Sequence, residues 1–129
     1  SQPYPMPESI HVLTLIEPDP AVREAITVLL EVRGWTVDAL VRGESLQSAL
    51  KSDDPLAVIC EAHLPDMSST EILECCRKSR TPVIFLGHED DVQHAVDLIR
   101  LGAEDYLQKP FQQNRLLNLL ERLADLRKG

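Results

Sequence analysis

Short apolar runs alternate five times with longer segments in which apolar residues recur every three or four positions. The runs are HVLTLI (His11–Ile16), WTVDALV (Trp35–Val41), LAVIC (Leu56–Cys60), PVIFL (Pro82–Leu86) and the brief DYL (Asp105–Leu107). VLTLI, LAVIC and VIFL are apolar without alternation, which predicts strands of a parallel sheet covered on both faces. Between the strands, the spacing predicts helices over Pro20–Val32, Ser45–Lys51, Ser69–Arg77, Asp91–Leu101 and Gln112 to about Leu126. Pro20 suits a first helical turn, and Gly34 and Gly102 suit helix ends. The expected inward faces are Val22, Ala25, Ile26 and Leu29, then Leu46, Ala49 and Leu50, then Ile72, Leu73 and Cys76. In the fourth helix they are Val92, Ala95, Val96 and Ile99, and in the last Leu116, Leu119, Leu120, Leu123 and Leu126. Right-handed crossovers between such strands give an open α/β sandwich.

In that architecture, sites form beyond the carboxyl ends of the strands. The residues there are Glu17, Pro18 and Asp19 after the first strand, and Glu61, Ala62 and His63 after the third. Gly87 and His88 follow the fourth, and Lys109 and Pro110 the fifth. Three acids, two histidines and a lysine thus share one shallow mouth.

Composition narrows the chemistry. A chain of 129 residues suits one domain. With 13 Lys and Arg against 21 Asp and Glu, its formal net charge is -8, which argues against nucleic-acid binding through this domain, since phosphate contacts need clustered cations. Cys60, Cys75 and Cys76 show neither C-x-x-C spacing nor an even count, so they imply no disulfide framework and no zinc pattern. Cys60 and Cys76 read as small core residues in a reducing, cytoplasmic setting. No apolar run reaches the length of a membrane span. The opening SQPYPMPES, residues 1–9, reads as a flexible lead-in and not as a signal peptide, because it lacks a basic start and an apolar core. Residues 10–127 form the domain.

Three segments carry a family resemblance: EPDPAVREAITVLLEVRGW, ICEAHLPDMSSTEILECCR and TPVIFLGHEDDVQHAVDLIRLGAEDYLQKPF. They resemble the receiver domain of bacterial response regulators, the CheY-like superfamily, from Ile10 to Leu126. The resemblance implies a flavodoxin-like (βα)5 three-layer sandwich with a five-stranded parallel sheet in order 2-1-3-4-5. It implies a signalling module and not an enzyme. It also implies a pocket in which acids hold Mg²⁺ while an aspartate accepts phosphate from a histidine kinase. Position by position, the acceptor falls on Glu61, the acid pair on Glu17 and Pro18, the hydroxyl on Gly87, the switch aromatic on Tyr106, and the Lys-Pro pair on Lys109 and Pro110, where a cis bond is expected.

Proline cannot chelate, and glycine has no hydroxyl to offer. Glutamate displaces its carboxyl by roughly 1.5 Å, where in-line transfer is sensitive to errors of about 1 Å. The expectation is an atypical receiver, or pseudo-receiver, that regulates through protein contacts without phosphorylation, with no cofactor and with Mg²⁺ binding lost or weak. Glu61 then pairs with Lys109, as a structural filler or as a phosphate mimic holding the activated shape; the two readings differ in whether Tyr106 points inward. Partners or a second copy would use the surface of helix four, strand five and helix five, rimmed by Asp97, Arg100, Glu104, Arg115, Glu121 and Arg122. An output domain elsewhere in a parent chain, such as a transcription regulator, is the natural companion. Two alternatives stand beside this: a receiver still phosphorylated on Glu61 or Asp66, and a metal or small-ligand sensor using His63, His88, Glu17 and Glu61.

Overall fold

A computed structural model describes residues 11–128. The lead-in at 1–9 and the expected domain start at Ile10 lie outside the described residues. The elements are β1 (Val12–Ile16), α1 (Pro20–Glu31), β2 (Thr36–Leu40), α2 (Leu46–Asp53), β3 (Ala57–Glu61), α3 (Ser69–Lys78), β4 (Val83–Gly87), α4 (Val92–Arg100), β5 (Asp105–Gln108) and α5 (Gln113–Lys128). A 3-10 turn, Gly43–Ser45, leads into α2. The strands form one parallel sheet in the order β2-β1-β3-β4-β5, as expected.

Alternate strand residues feed two cores, one on each face, because successive side chains point to opposite sides of a sheet. Leu13, Leu15, Ile59, Ile84 and Leu86 meet Ile26 and Leu30 of α1 and Leu116 and Leu120 of α5. Ile16, Val58, Cys60, Phe85 and Tyr106 meet Leu46 and Leu50 of α2, Ile72 and Cys76 of α3, and Leu98 of α4. Fully burying each of these leucines and isoleucines contributes about 1.5–3 kcal/mol. Cys60 and Cys76 are buried free thiols. Burial pushes Cys60 up and carries Cys76 to about 12, so both stay protonated hydrophobes.

Three expected helix faces are corrected. On α4 it is Leu98 that is buried and Ala95 that packs partly inward, whereas Val92, Val96 and Ile99 are exposed. Val92, Val96 and Ile99 follow i, i+4, i+7 spacing, and Ala95 and Leu98 follow i, i+3. Both stripes satisfy helical periodicity, so the pattern alone could not choose between them. On α5, Leu117 is buried and Leu126 is exposed; the stripe drifts round the helix and leaves the sheet by the last turn. On α1, Val22, Ile26 and Leu29 pack inward as expected and Leu30 joins them fully buried, whereas Ala25 is exposed.

The end of α3 carries a local strain. Thr81 N–H donates to Cys76 O at 2.9 Å and Arg80 N–H to Arg77 O at 3.1 Å, the two bonds of a Schellman stop. The left-handed position of that stop is Arg80, with φ 57°, where glycine is the ordinary occupant. Arg80→Gly is therefore expected to raise stability by about 1 kcal/mol; urea unfolding with an unchanged m-value checks this, and a loss of stability would contradict it.

Candidate functional site

Parallel register brings the carboxyl ends of β1, β3, β4 and β5 to one edge of the sheet. Glu17 directly follows β1 and Glu61 closes β3, and both are buried, at 2% and 7% exposure. Lys109 follows β5, and its backbone N–H donates to Gly87 O at 2.7 Å, which fixes where its side chain starts. The peptide between Lys109 and Pro110 is cis, as expected. Lys109 Nζ donates to Glu17 Oε1 at 2.5 Å and also to Glu61 Oε2. The other oxygens are satisfied as well: Glu17 Oε2 accepts from Asp19 N–H and Glu61 Oε1 from His63 N–H, each at 3.1 Å. Burial lowers the Lys109 ammonium's proton affinity, but Glu17 and Glu61 more than offset it, and its pKa lies above the ordinary lysine value.

Asp19 does not join this cluster. It is exposed and caps α1, accepting from Ala21 N–H at 2.9 Å and Val22 N–H at 3.4 Å. Helix N-termini attract short acids in this way, and that demand decides its orientation. Pro18 supplies no side-chain oxygen; its carbonyl accepts from Arg23 at 3.2 Å. Asp66 is likewise engaged elsewhere, accepting from Gly43 N–H at 3.1 Å and Glu44 N–H at 2.8 Å.

The position expected to carry a hydroxyl is filled by another residue. A Cβ on Gly87 would lie 1.8 Å from the Tyr106 Oη, so the phenol occupies the space that a side chain at 87 would take. Tyr106 is buried and points inward, donating to Asp91 Oδ2 at 2.9 Å. The same oxygen lies 2.7 Å from His63 Nε2 and accepts from His88 N–H at 3.3 Å. These bonds, His63's first and Tyr106's next, hold the Asp91 carboxyl well down, at about 2. Asp91 stands at the N-cap of α4 yet makes no side-chain capping bond. His94 joins from α4: its ring stacks on His63 at 5.2 Å, meets the edge of Tyr106 at 6.4 Å, and its Nε2 lies 3.1 Å from Ser69 Oγ.

The four residues of the metal alternative therefore do not converge. Glu17 and Glu61 face Lys109, while His63 faces Asp91 and the exposed His88 stacks at 6.5 Å from it. Among the described residues, no group of three or more His, Cys, Asp or Glu is placed to hold a metal ion. Asp91 and His94 went unnoticed in the sequence. The available signal was an acid at a helix start, which reads as a cap until the structure shows that it is not one.

A doubly wound sheet with charged residues gathered beyond β1, β3 and β5 defines a receiver-type domain. The chain belongs to the response regulator receiver domain family, whose model matches residues 13–121. It is 32% identical over 116 residues to the C4-dicarboxylate transport transcriptional regulatory protein DctD of Pseudomonas aeruginosa, covering 88% of this chain and 25% of that protein. It is 36% identical over 113 residues to the transcriptional regulatory protein QseB of Escherichia coli O157:H7, covering 86% and 52% respectively. A response regulator receiver domain from Clostridium thermocellum shares the fold with a TM-score of 0.83 at 24% identity, covering 92% of this chain and 97% of that one. The chain thus spans from a quarter to about half the length of these curated relatives. Its place is that of a receiver domain in two-component signalling. No helix among the described residues is long and apolar enough to cross a membrane.

Two outcomes follow from this geometry. Lys109→Met leaves two buried carboxylates without their cation and is expected to cost about 3–5 kcal/mol. Adding Glu17→Gln and Glu61→Gln to that variant should restore much of the loss, and chemical denaturation of the set measures it. Because the Lys109 pKa is raised, its contribution is complete at neutral pH and is lost only as pH climbs through that raised value. Separately, Gly87→Thr must expel the Tyr106 phenol. We expect about 1–3 kcal/mol of destabilisation and large shifts of the Tyr106 ring signals in NMR; an unmoved ring would refute the packing described.

Proposed function

We propose that this domain is a pseudo-receiver: a regulatory and protein-interaction module that works without accepting phosphate. The observation that carries this reading is the Lys109 ammonium, bonded to Glu17 and Glu61 at the place where a phosphoryl group would need it. Phosphoryl transfer in a receiver needs an acceptor carboxylate, a bound cation and a donor to the developing charge. Here the acceptor carboxylate is already paired. Pro18 offers no ligand and Gly87 no hydroxyl, so the donor set does not fit the octahedral oxygen shell of Mg²⁺.

The inward Tyr106, tied to Asp91, supports a shape held constantly and not switched. Of the two readings of the Glu61–Lys109 pair, it favours the one in which the pair stands in for phosphate. Beyond Tyr106 lies the surface of α4, β5 and α5. There Val92, Val96, Ile99 and Leu101 are exposed, and Arg115 pairs with Asp105 at 3.1 Å. An apolar stripe with a charged rim suits a protein partner or a second copy of the chain. The relatives are transcriptional regulators by name, which supports an output domain in a longer cytoplasmic parent.

The test is incubation with acetyl phosphate and Mg²⁺, followed by intact mass, with beryllofluoride binding read by NMR. We expect no mass gain, no amide shifts near Tyr106, and one sedimentation profile with or without acetyl phosphate, weakened in self-association or partner binding by Ile99→Glu. Restoring Glu61→Asp, Pro18→Asp and Gly87→Thr together should recover measurable labelling. A stable acyl-phosphate on the unaltered chain would end the proposal.

A further inference from the structure

Arg80, the strained residue at the end of α3, lines a cavity of about 570 Å³ at the amino end of the sheet, opposite the mouth. The cavity lies between the segments that lead into β3, β4 and β5 and the last two turns of α5. Pro55, Leu56 and Leu123, all buried, and the exposed Leu126 supply its apolar lining. Its size falls in the range of small-molecule sites, roughly 300–1,000 Å³. Four charged residues also line it. Two of them cancel, because Arg127 donates to Asp54 O at 3.2 Å and to Asp54 Oδ2 at 2.6 Å. The other two, Arg80 and Glu104, make no ion pair and no side-chain hydrogen bond among the described residues, either with each other or with a neighbour.

The backbone singles out the first of these. Among the described residues the non-glycine positions with positive φ are Asp54, at 45°, and Arg80, at 57°, and both line this cavity. Asp54 needs no special reason, since aspartate is among the residues that tolerate the left-handed region. Arginine is not. Nor is its charge needed to offset the free carbonyls at the end of α3, where Arg77 and Lys78 already stand in the last turn. Backbone strain held against a better local choice collects at ligand sites.

An unmatched cation and an unmatched anion beside an apolar floor fit a ligand that carries both charges and an apolar group. We propose that this cavity binds a free apolar α-amino acid, with its carboxylate on Arg80, its ammonium on Glu104 and its side chain against Leu56, Leu123 and Leu126. A guanidinium holds a carboxylate through two parallel N–H donors, a geometry that lysine or glycine at position 80 cannot supply. Bound there, the ligand ties the leads into β4 and β5 to the last turns of α5. The site is separate from the mouth, where the charges of Glu17, Glu61 and Lys109 already meet.

The test is titration of the full ¹⁵N-labelled chain with phenylalanine near neutral pH. Saturable shifts are expected for the amides of Arg80, Thr81, Glu104 and Leu126. Hydrocinnamate, which lacks the ammonium, and phenethylamine, which lacks the carboxylate, should each bind about tenfold more weakly or worse, as the loss of a charge-assisted hydrogen bond implies. Arg80→Gly should weaken phenylalanine binding by a similar factor while raising Tm, so the lost binding is no folding defect. Glu104→Gln should weaken phenylalanine and leave hydrocinnamate unchanged or improved. Shifts that fail to saturate, shifts centred on α1 or on the mouth, or undiminished binding by Arg80→Gly would each overturn the site. None of these outcomes bears on phosphorylation, so the pseudo-receiver reading stands or falls separately.

Discussion

The ammonium of Lys109 held between Glu17 and Glu61 is the interaction on which the rest of the domain turns. It gathers the ends of β1, β3 and β5 into one contact, and each carboxylate gives its second oxygen to a backbone N–H two residues on. A buried ion pair contributes little when its polar atoms are left wanting and is hard to break when they are all met. Here they are met. Two carboxylates thus share a single ammonium, which is committed to both.

A second contact lies beside the first. Lys109 N–H binds Gly87 O, which brackets β4 against β5, with Tyr106 paired to Phe85 and Gly87 to Gln108. The missing side chain at 87 opens the volume into which the phenol turns, and Asp91 closes it from the start of α4. Asp91 gives up the capping bond that its position invites, which weakens the helix start by about 1 kcal/mol on ordinary capping energies. Bonds from His63, Tyr106 and His88 to the same oxygen offset that loss. The charge chemistry at the mouth is thereby connected, through packed groups, to the exposed stripe of α4.

Much of this was readable from the sequence, and the exceptions have causes. The parallel sheet follows from unbroken apolar strands, the strand order from the family resemblance, and the gathering of Glu17, Glu61 and Lys109 from the rule that sites form at the strands' carboxyl ends. The Glu61–Lys109 pair was legible because two opposite charges there have few other partners. Asp19 was misplaced because a local demand, the bare N–H groups of α1, outweighs the distant pocket. The outward face of α4 was illegible because Val92, Val96 and Ile99 are as helical in spacing as Ala95 and Leu98; only docking on β5 selects one. Asp91 was hidden because its role depends on Tyr106 lying inward, which in turn depends on the empty space at Gly87. Such three-body conditions leave no periodic trace.

The residues of the mouth are therefore coupled. Glutamate reaches roughly 1.5 Å further than aspartate, and it is this reach that lets Glu61 meet Lys109 while its other oxygen stays on the His63 backbone. Pro18, which has no side-chain oxygen, follows Glu17, whose carboxylate has turned to the lysine. Gly87, without a side chain, leaves the space that the Tyr106 phenol fills. An unpaired buried charge or polar group at the mouth would destabilise by roughly 1–3 kcal/mol. Among the described residues the mouth leaves no buried polar atom unpaired; the single orphan, Thr14, lies under α2. The mouth is thus filled by its own side chains, and Tyr106 and Asp91 tie it to the start of α4.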